Sequence, residues 1–337
     1  MSRLNPSIGH QRSAGQNSVK DIQYYLDGIS KTRDYYILSE AITLLESTQE
    51  SHRQLALGLL SRLYTKRTPS FRIGITGSPG VGKSTFIDGI ASSFSEKNHK
   101  VGILTIDPSS VTGHGSILGD KTRMETLISN PDIFIRPSPS SRHLGGLNRY
   151  TYEAMILCES AGIDRLLIET VGVGQSEVEV SENTDATILL ILPGSGDSIQ
   201  GIKKGILEEA DLIIVHKADG AAQSLVKESV RGLKEALHLR RGKDLPDVLA
   251  YSSITFEGRD RVLSGMNKII EKKTIDLEQK RKVKEGLWLK KKIQEEIQHM
   301  IAAQLEDHPD LSSSKVLAAS NVFDIIRSFK SKINIQL

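Results

Sequence analysis

The chain has 337 residues, 38% hydrophobic and 25% charged, the composition of a soluble protein with a sizeable core and more length than one compact domain needs. Its 44 lysines and arginines against 41 acids leave a net charge of +3, which argues against nucleic acid or an anionic membrane as the main partner. The single cysteine, Cys158, excludes an internal disulfide and fits a reducing compartment, and no run of about 18 apolar residues suits a membrane span.

Residues 1–17 are polar and lack the apolar core of a secretory signal, so a frayed tail is expected there. Arg3, Arg12 and several serines before the first acid, Asp21, are weakly similar to a mitochondrial presequence, without its apolar face. Residues 18–68 read as two or three helices, with Leu38, Ala41, Ile42 and Leu45, then Leu55, Leu59, Leu60 and Leu63, at helical spacing. Thr68 and Pro69 break that pattern.

The main domain is expected over 69–271. It opens with a strand carrying Phe71, Ile73 and Ile75, continues as GSPGVGKST from Gly77 to Thr85, and passes into an apolar-periodic helix. That is G-x-x-x-x-G-K-[ST] between a strand and a helix. Gly77, Pro79, Gly80, Val81 and Gly82 would fold backbone N–H groups around phosphate oxygens, and the helix N-terminus adds partial positive charge. In this pattern Lys83 reaches the β- and γ-phosphates, Ser84 holds Mg²⁺, and Thr85 donates to the α-phosphate. The plainer alternative, a tight glycine turn beside a surface lysine, does not account for the flanking strand and helix.

A second strand, Val101 to Ile106, leads to Asp107, an acid at the strand edge where α/β proteins place ligand chemistry and a candidate for Mg²⁺ or its water shell. The Gly/Ser-rich stretch after it, with Asp120, Lys121 and Arg123, suits a loop that orders around a γ-phosphate. Further elements follow at Ile133–Ile135, a helix over Leu147–Ala161 and a strand over Arg165–Ile168. That strand runs into Glu169 and Gly172, an acid followed by x-x-Gly, where the acid serves Mg²⁺ and the glycine N–H senses the γ-phosphate. Strands over Ala186–Leu192 and Asp211–Val215 come next.

The second of these ends in His216, Lys217, Ala218 and Asp219, which resembles the [N/T]-K-x-D base-recognition motif. A carboxylate at Asp219 accepts from the N1–H and 2-amino donors of guanine, a pair that adenine lacks. A last strand, Val248–Tyr251, delivers Ser252 and Ser253, whose backbone N–H groups could meet the base. From about Lys272 to Leu305 one long amphipathic helix is expected, and Ser312–Lys330 suits another. The nine histidines are scattered and Cys158 is isolated, which argues against direct handling of a transition-metal ion.

With IDPSS, GSILGDKTRM, IETVGVGQSE and KAD following GSPGVGKST in this order, the chain resembles the MeaB/ArgK/MMAA family of GTPases, which escort adenosylcobalamin-dependent acyl-CoA mutases. The expected fold is α/β: a doubly wound, mainly parallel sheet forming a P-loop GTPase domain, with helical extensions at both ends. The resemblance implies GTP/GDP and Mg²⁺ as cofactors and a metallochaperone role. That role gates cobalamin delivery to methylmalonyl-CoA mutase or a relative and protects the enzyme. It assigns Asp107 and Asp120 to a first switch, Glu169 to Glu177 to a second, and Gln200 and Lys203 to a third loop tied to stimulated hydrolysis. It also implies a homodimer through residues 272–337, in the cytoplasm, or in the mitochondrial matrix for a eukaryotic source. A cobalamin adenosyltransferase is a further candidate partner. Two positions depart from the family pattern: His216 stands where asparagine is usual, and Ser253 where alanine is common. A P-loop kinase and a non-hydrolysing nucleotide-dependent scaffold are the competing readings.

Overall fold

The computed structural model describes residues 20–107, 127, 129–139, 150–170, 176–194, 207, 209–219, 223–238 and 245–306. Its elements are α1 (Ile22–Asp27), α2 (Tyr35–Glu46), α3 (Glu50–Leu63), β1 (Phe71–Gly77), α4 (Lys83–Ser95), β2 (Val101–Asp107), β3 (Ile133–Pro139) and α5 (Thr151–Ser160). They continue with β4 (Arg165–Glu169), α6 (Ser176–Asn183), β5 (Ala186–Ile191), β6 (Leu212–His216), α7 (Gln223–His238), β7 (Asp247–Tyr251), α8 (Arg259–Thr274) and α9 (Leu277–Glu306). Two compact units result, the first ending at Ile275 and the second beginning at Asp276.

The seven strands form one parallel sheet in the order β3-β2-β4-β1-β5-β6-β7. Parallel strands covered by helices on both faces bury both sides, which explains why β1, β5 and β6 are buried at every position and read as near-continuous apolar runs. β1 is central, with β4 on one side and β5 on the other, so the chain crosses over in both directions from it. In α/β sheets the crevice at such a point, beyond the carboxyl ends of the strands, is the usual ligand site.

The N-terminal helices start where aspartates cap them: Asp21 accepts from Tyr24 N at 2.8 Å and Asp34 from Tyr36 N at 2.8 Å. Their periodic residues Leu38, Ala41, Ile42, Leu45, Leu59, Leu60 and Leu63 are buried, and α2 and α3 pack on α5. The start of β1 is fixed by a buried carboxylate. Glu159 of α5 accepts from Arg67 Nε at 3.0 Å, Ser70 Oγ at 2.9 Å and Arg72 Nε at 2.9 Å.

Several boundaries shift by one to five residues from those read off the sequence, two of them for a visible reason. β3 runs on to Pro139 because its parallel ladder with β2 continues as far as Asp107↔Pro139. The long C-terminal helix starts at Leu277, after a turn at Ile275 and Asp276 that separates it from α8. The expected helix over 312–330 lies outside the described residues. No described helix is long and apolar enough to cross a membrane.

Candidate functional site

β1 ends at Gly77, and the chain turns through residues 78–82 into α4. Gly77 has φ +151° and Gly82 φ +97°. A Cβ on Gly77 would lie 2.5 Å from the Leu190 carbonyl oxygen, and one on Gly82 would lie 2.7 Å from Cε1 and 2.8 Å from Nδ1 of His216. Both positions therefore need glycine for space as well as for backbone conformation. The loop curls around the N-terminus of α4, whose first N–H groups have no partner within the helix and carry partial positive charge. Such a cradle suits phosphate oxygens.

Lys83 opens α4 and is largely buried, its ammonium donating to the carbonyls of Gly77 at 2.9 Å and Ser78 at 3.3 Å. Ser84 Oγ donates to Glu169 Oε1 at 3.0 Å, which joins the start of α4 to the end of β4. Hydroxyl and carboxylate form a pair of hard oxygen donors, the chemistry Mg²⁺ prefers when substrate phosphates and water complete its shell. The register puts Glu169 beside Ile75 of β1 and Thr105 of β2, so all three strands deliver their ends to one edge.

The loop after β6 is tied onto the phosphate loop. Lys217, with φ +59°, donates through Nζ to the Gly80 carbonyl at 2.8 Å. His216, 2% exposed, has Nδ1 2.7 Å from the Val81 carbonyl and Nε2 2.7 Å from Ser253 Oγ. Its ring stacks on Tyr251 at 5.8 Å and meets the edge of Phe86 at 6.0 Å. Burial holds the imidazole pKa below its ordinary value. Asp219 accepts from Ser252 Oγ at 2.9 Å through Oδ1, and its other oxygen has no partner among the described residues. The Ser252 hydroxyl also accepts from the N–H groups of Ile254 at 3.2 Å and Thr255 at 3.1 Å, which shapes the loop after β7.

One acid beside this site has no counterpart in the sequence motifs. Asp88, one turn beyond Thr85 on α4, lines a cavity of about 220 Å³ with Thr85, Gly89, Ser253, Phe256 and Arg259. Its buried Oδ1 has no partner among the described residues, and burial pushes the carboxyl up to about 7. A spacing argument could not find it, because an Asp inside GKSTFIDGI looks like an outward-facing helix position.

Gly77 to Thr85, Glu169, His216, Lys217, Asp219, Ser252 and Ser253 are thus gathered at one end of the sheet. Asp107 closes β2 at the same edge, and its side chain lies outside the described set. Asp120, Gly172, Gln200 and Lys203 also lie outside the described residues.

The profile of the family described as methylmalonyl Co-A mutase-associated GTPase MeaB matches residues 38–306. The chain belongs to the MeaB family. It is 41% identical over 292 residues to the GTPase ArgK of Escherichia coli, covering 84% of this chain and 87% of that one. A probable GTPase of Mycobacterium tuberculosis is 49% identical over 229 residues, covering 67% of this chain and 68% of its own length. The mitochondrial methylmalonic aciduria type A homolog of Mus musculus is 38% identical over 324 residues, covering 88% of this chain and 76% of its own. Among solved structures, one described as a LAO/AO transport system kinase superposes with a TM-score of 0.70 at 29% identity, covering 92% of this chain and 96% of that chain. As a MeaB-family P-loop GTPase, the chain binds GTP and GDP and hydrolyses GTP.

Proposed function

We propose that this MeaB-family GTPase acts as a metallochaperone for an adenosylcobalamin-dependent acyl-CoA mutase, methylmalonyl-CoA mutase or a relative, gating cofactor delivery and protecting the enzyme. The observation that carries this reading is the match over residues 38–306 to a family described by its association with that mutase. The compartment follows from the partner: cytoplasm in a bacterium, mitochondrial matrix in a eukaryote.

In the nucleotide site the amide cradle and the start of α4 hold the phosphates, and Lys83 lies close enough to offset their charge. Thr85 takes the α-phosphate. Asp219 takes guanine N1–H and the 2-amino group through the oxygen that Ser252 leaves unused, and the backbone N–H of Ser253, which has no acceptor among the described residues, meets the base. Ser84 and Glu169 would hold Mg²⁺, with Asp107 on the neighbouring strand as a further ligand or a water-shell partner. Bound there, Mg²⁺ would draw off charge developing between the β- and γ-phosphates. Water attacks the γ-phosphate in line. Asp120, Gly172, Gln200 and Lys203 belong to the segments that position it, and slow intrinsic turnover that a partner accelerates is the consequence.

Val283, Leu287, Leu289 and Ile293 of α9 are at least half exposed, which favours a second copy of the chain as the partner of this helix. The name of the solved kinase relative keeps one rival alive, phosphoryl transfer to an acceptor. Phosphate release with GTP and with ATP, each with and without the mutase from the same source, separates them. Guanine-selective turnover that rises with the mutase is the expected result. Equal use of both nucleotides with no response to the mutase would discard the chaperone reading, and acceptor-dependent ADP formation would establish the kinase.

A further inference from the structure

The cavity beside α4 holds two features that the phosphate and guanine contacts leave unused. In its wall stands Asp88, whose buried Oδ1 has no partner among the described residues. An oxygen in that state forgoes a hydrogen bond that any donor entering the cavity would restore. A cation is near at hand, because Arg259 lines the same cavity, yet its guanidinium is committed elsewhere. Its Nε donates to Ser93 Oγ at 2.9 Å and its Nη2 to Glu96 Oε2 at 2.7 Å. The fold therefore sets an acid and a base on one cavity without pairing them.

The second feature is Phe256, which lines the cavity with a left-handed backbone, φ +59°, a conformation that a bulky aromatic residue rarely adopts. Its surroundings hold it there. The Phe256 carbonyl accepts from Arg259 N at 3.1 Å, the next carbonyl, of Glu257, accepts from Ser252 N at 3.1 Å, and the Arg259 guanidinium lies 5.8 Å from the phenyl ring. Core packing does not account for the strain, because the side chain is half-exposed. Strained residues that their neighbours over-determine cluster where ligands bind.

Thr85, which takes the α-phosphate, and Ser253, whose N–H meets the base, both line this cavity. The group that joins an α-phosphate to a base is the sugar. At about 220 Å³ the cavity is smaller than the roughly 300–1,000 Å³ of pockets that enclose whole drug-sized ligands, and it suits one part of a nucleotide. We propose that it is the ribose pocket, in which Asp88 accepts from a sugar hydroxyl and the Phe256 ring covers the apolar face of the sugar. The proposal deepens the GTP-site reading above and rests on it. A carboxyl oxygen accepts from a hydroxyl whether or not the group carries a proton. A deoxy sugar leaves that oxygen unpaired again, and a site built to bind a hydroxyl rejects the analogue lacking it for this reason. Asp88 is then a specificity residue that selects ribonucleotides.

The test is isothermal titration calorimetry of the full chain with unlabelled GDP, 2′-deoxy-GDP and 3′-deoxy-GDP. The wild type should bind at least one deoxy analogue about tenfold more weakly than GDP. Asp88→Ala should cut that ratio to below about twofold by weakening GDP alone, and Asp88→Asn, which keeps an acceptor oxygen, should preserve much of it. Phe256→Gly removes the ring and the backbone strain together. It should weaken GDP and the deoxy analogues by the same factor, while the Tm of the nucleotide-free protein stays at or above that of the wild type. A lower Tm with unchanged affinity would make Phe256 structural and remove its part in the pocket. Equal binding of the three nucleotides by the wild type, which needs no variant to fold, or a ratio untouched by Asp88→Ala, would overturn the proposal. Lys83→Ala separates the two readings. If it leaves GDP affinity unchanged, the GTP-site reading falls and the ribose pocket with it; if it abolishes binding and the wild type still ignores the sugar, the pocket alone falls.

Discussion

Substituting alanine at Gly82 and at Gly80 separates two physical costs in the phosphate loop. Both glycines have left-handed backbones, φ +97° and +76°, so either alanine costs about 1–2 kcal/mol for that conformation alone. At Gly80 nothing in the described structure lies within 4 Å of the new Cβ, and the cost stops there. At Gly82 the Cβ would sit 2.7 and 2.8 Å from two atoms of the His216 ring. Ordinary contact would require the ring to retreat by several tenths of an ångström, and Tyr251 and Phe86 hold it in place. Overpacking of this kind adds about 1–3 kcal/mol. The assay is thermal melting without nucleotide, where each kcal/mol corresponds to about 2–4 °C for a unit of this size. Gly82→Ala should melt well below Gly80→Ala, and His216→Ala in the Gly82→Ala background should recover part of the difference. Equal Tm losses for the two glycines, with no recovery, would show that ring and loop are not in contact.

Asp88 carries a pH prediction. Its folded-state pKa of about 7 lies above the ordinary carboxyl value, so between about 4 and 7 the native protein holds a proton that the unfolded chain has released, and stability rises as the pH falls through that window. Asp88→Asn should therefore stabilise the protein at pH 8, by about 1–2 kcal/mol after allowing for solvent screening, by less at each step down in pH, and hardly at all below about pH 4; equal gains at pH 8 and pH 4 would contradict the burial argument. Glu159→Ala removes the carboxylate partner of buried Arg72 and should cost about 3–5 kcal/mol in urea unfolding, so a loss below about 1 kcal/mol would mean the cluster is relaxed by other contacts. Lys83→Ala should abolish GTP hydrolysis, and unchanged turnover would move the phosphate site elsewhere. Asp219→Asn should lower the preference for GDP over ADP about tenfold or more in competition binding; an unaltered preference would place base recognition on other residues.

The phosphate loop was legible because its chemistry is local: nine consecutive residues hold the glycines, the lysine and the hydroxyls. Strand identities were legible too, since parallel strands buried on both faces are apolar throughout. The order of the strands was not, because β1 pairs with residues 165–169 and 186–190, and no local pattern specifies those partners. α8 escaped notice for a different reason. Arg259–Thr274 buries only Val262, Leu263, Gly265 and Met266, and its charged residues merge with those of α9. The contact between His216 and Ser253 depends on the β6–β7 register, which sets His216 against Tyr251, so neither residue points to the other in the sequence. Asp88 is unusual only through burial, a property of the folded neighbourhood rather than of the helix that carries it.

The central position of β1 bears on how the chain is made. All seven of its residues are buried in the finished protein, yet its first neighbour, β4, begins only at Arg165. A ribosome adding about 5–20 residues per second needs roughly 5–20 s to cover that gap. Through this interval an apolar strand with both edges open waits for a partner that does not yet exist. Nascent chains should be most vulnerable to aggregation in that window, and most dependent on holding factors. Slowing translation between β1 and β4 should lower the soluble yield, whereas slowing it after β5 should not.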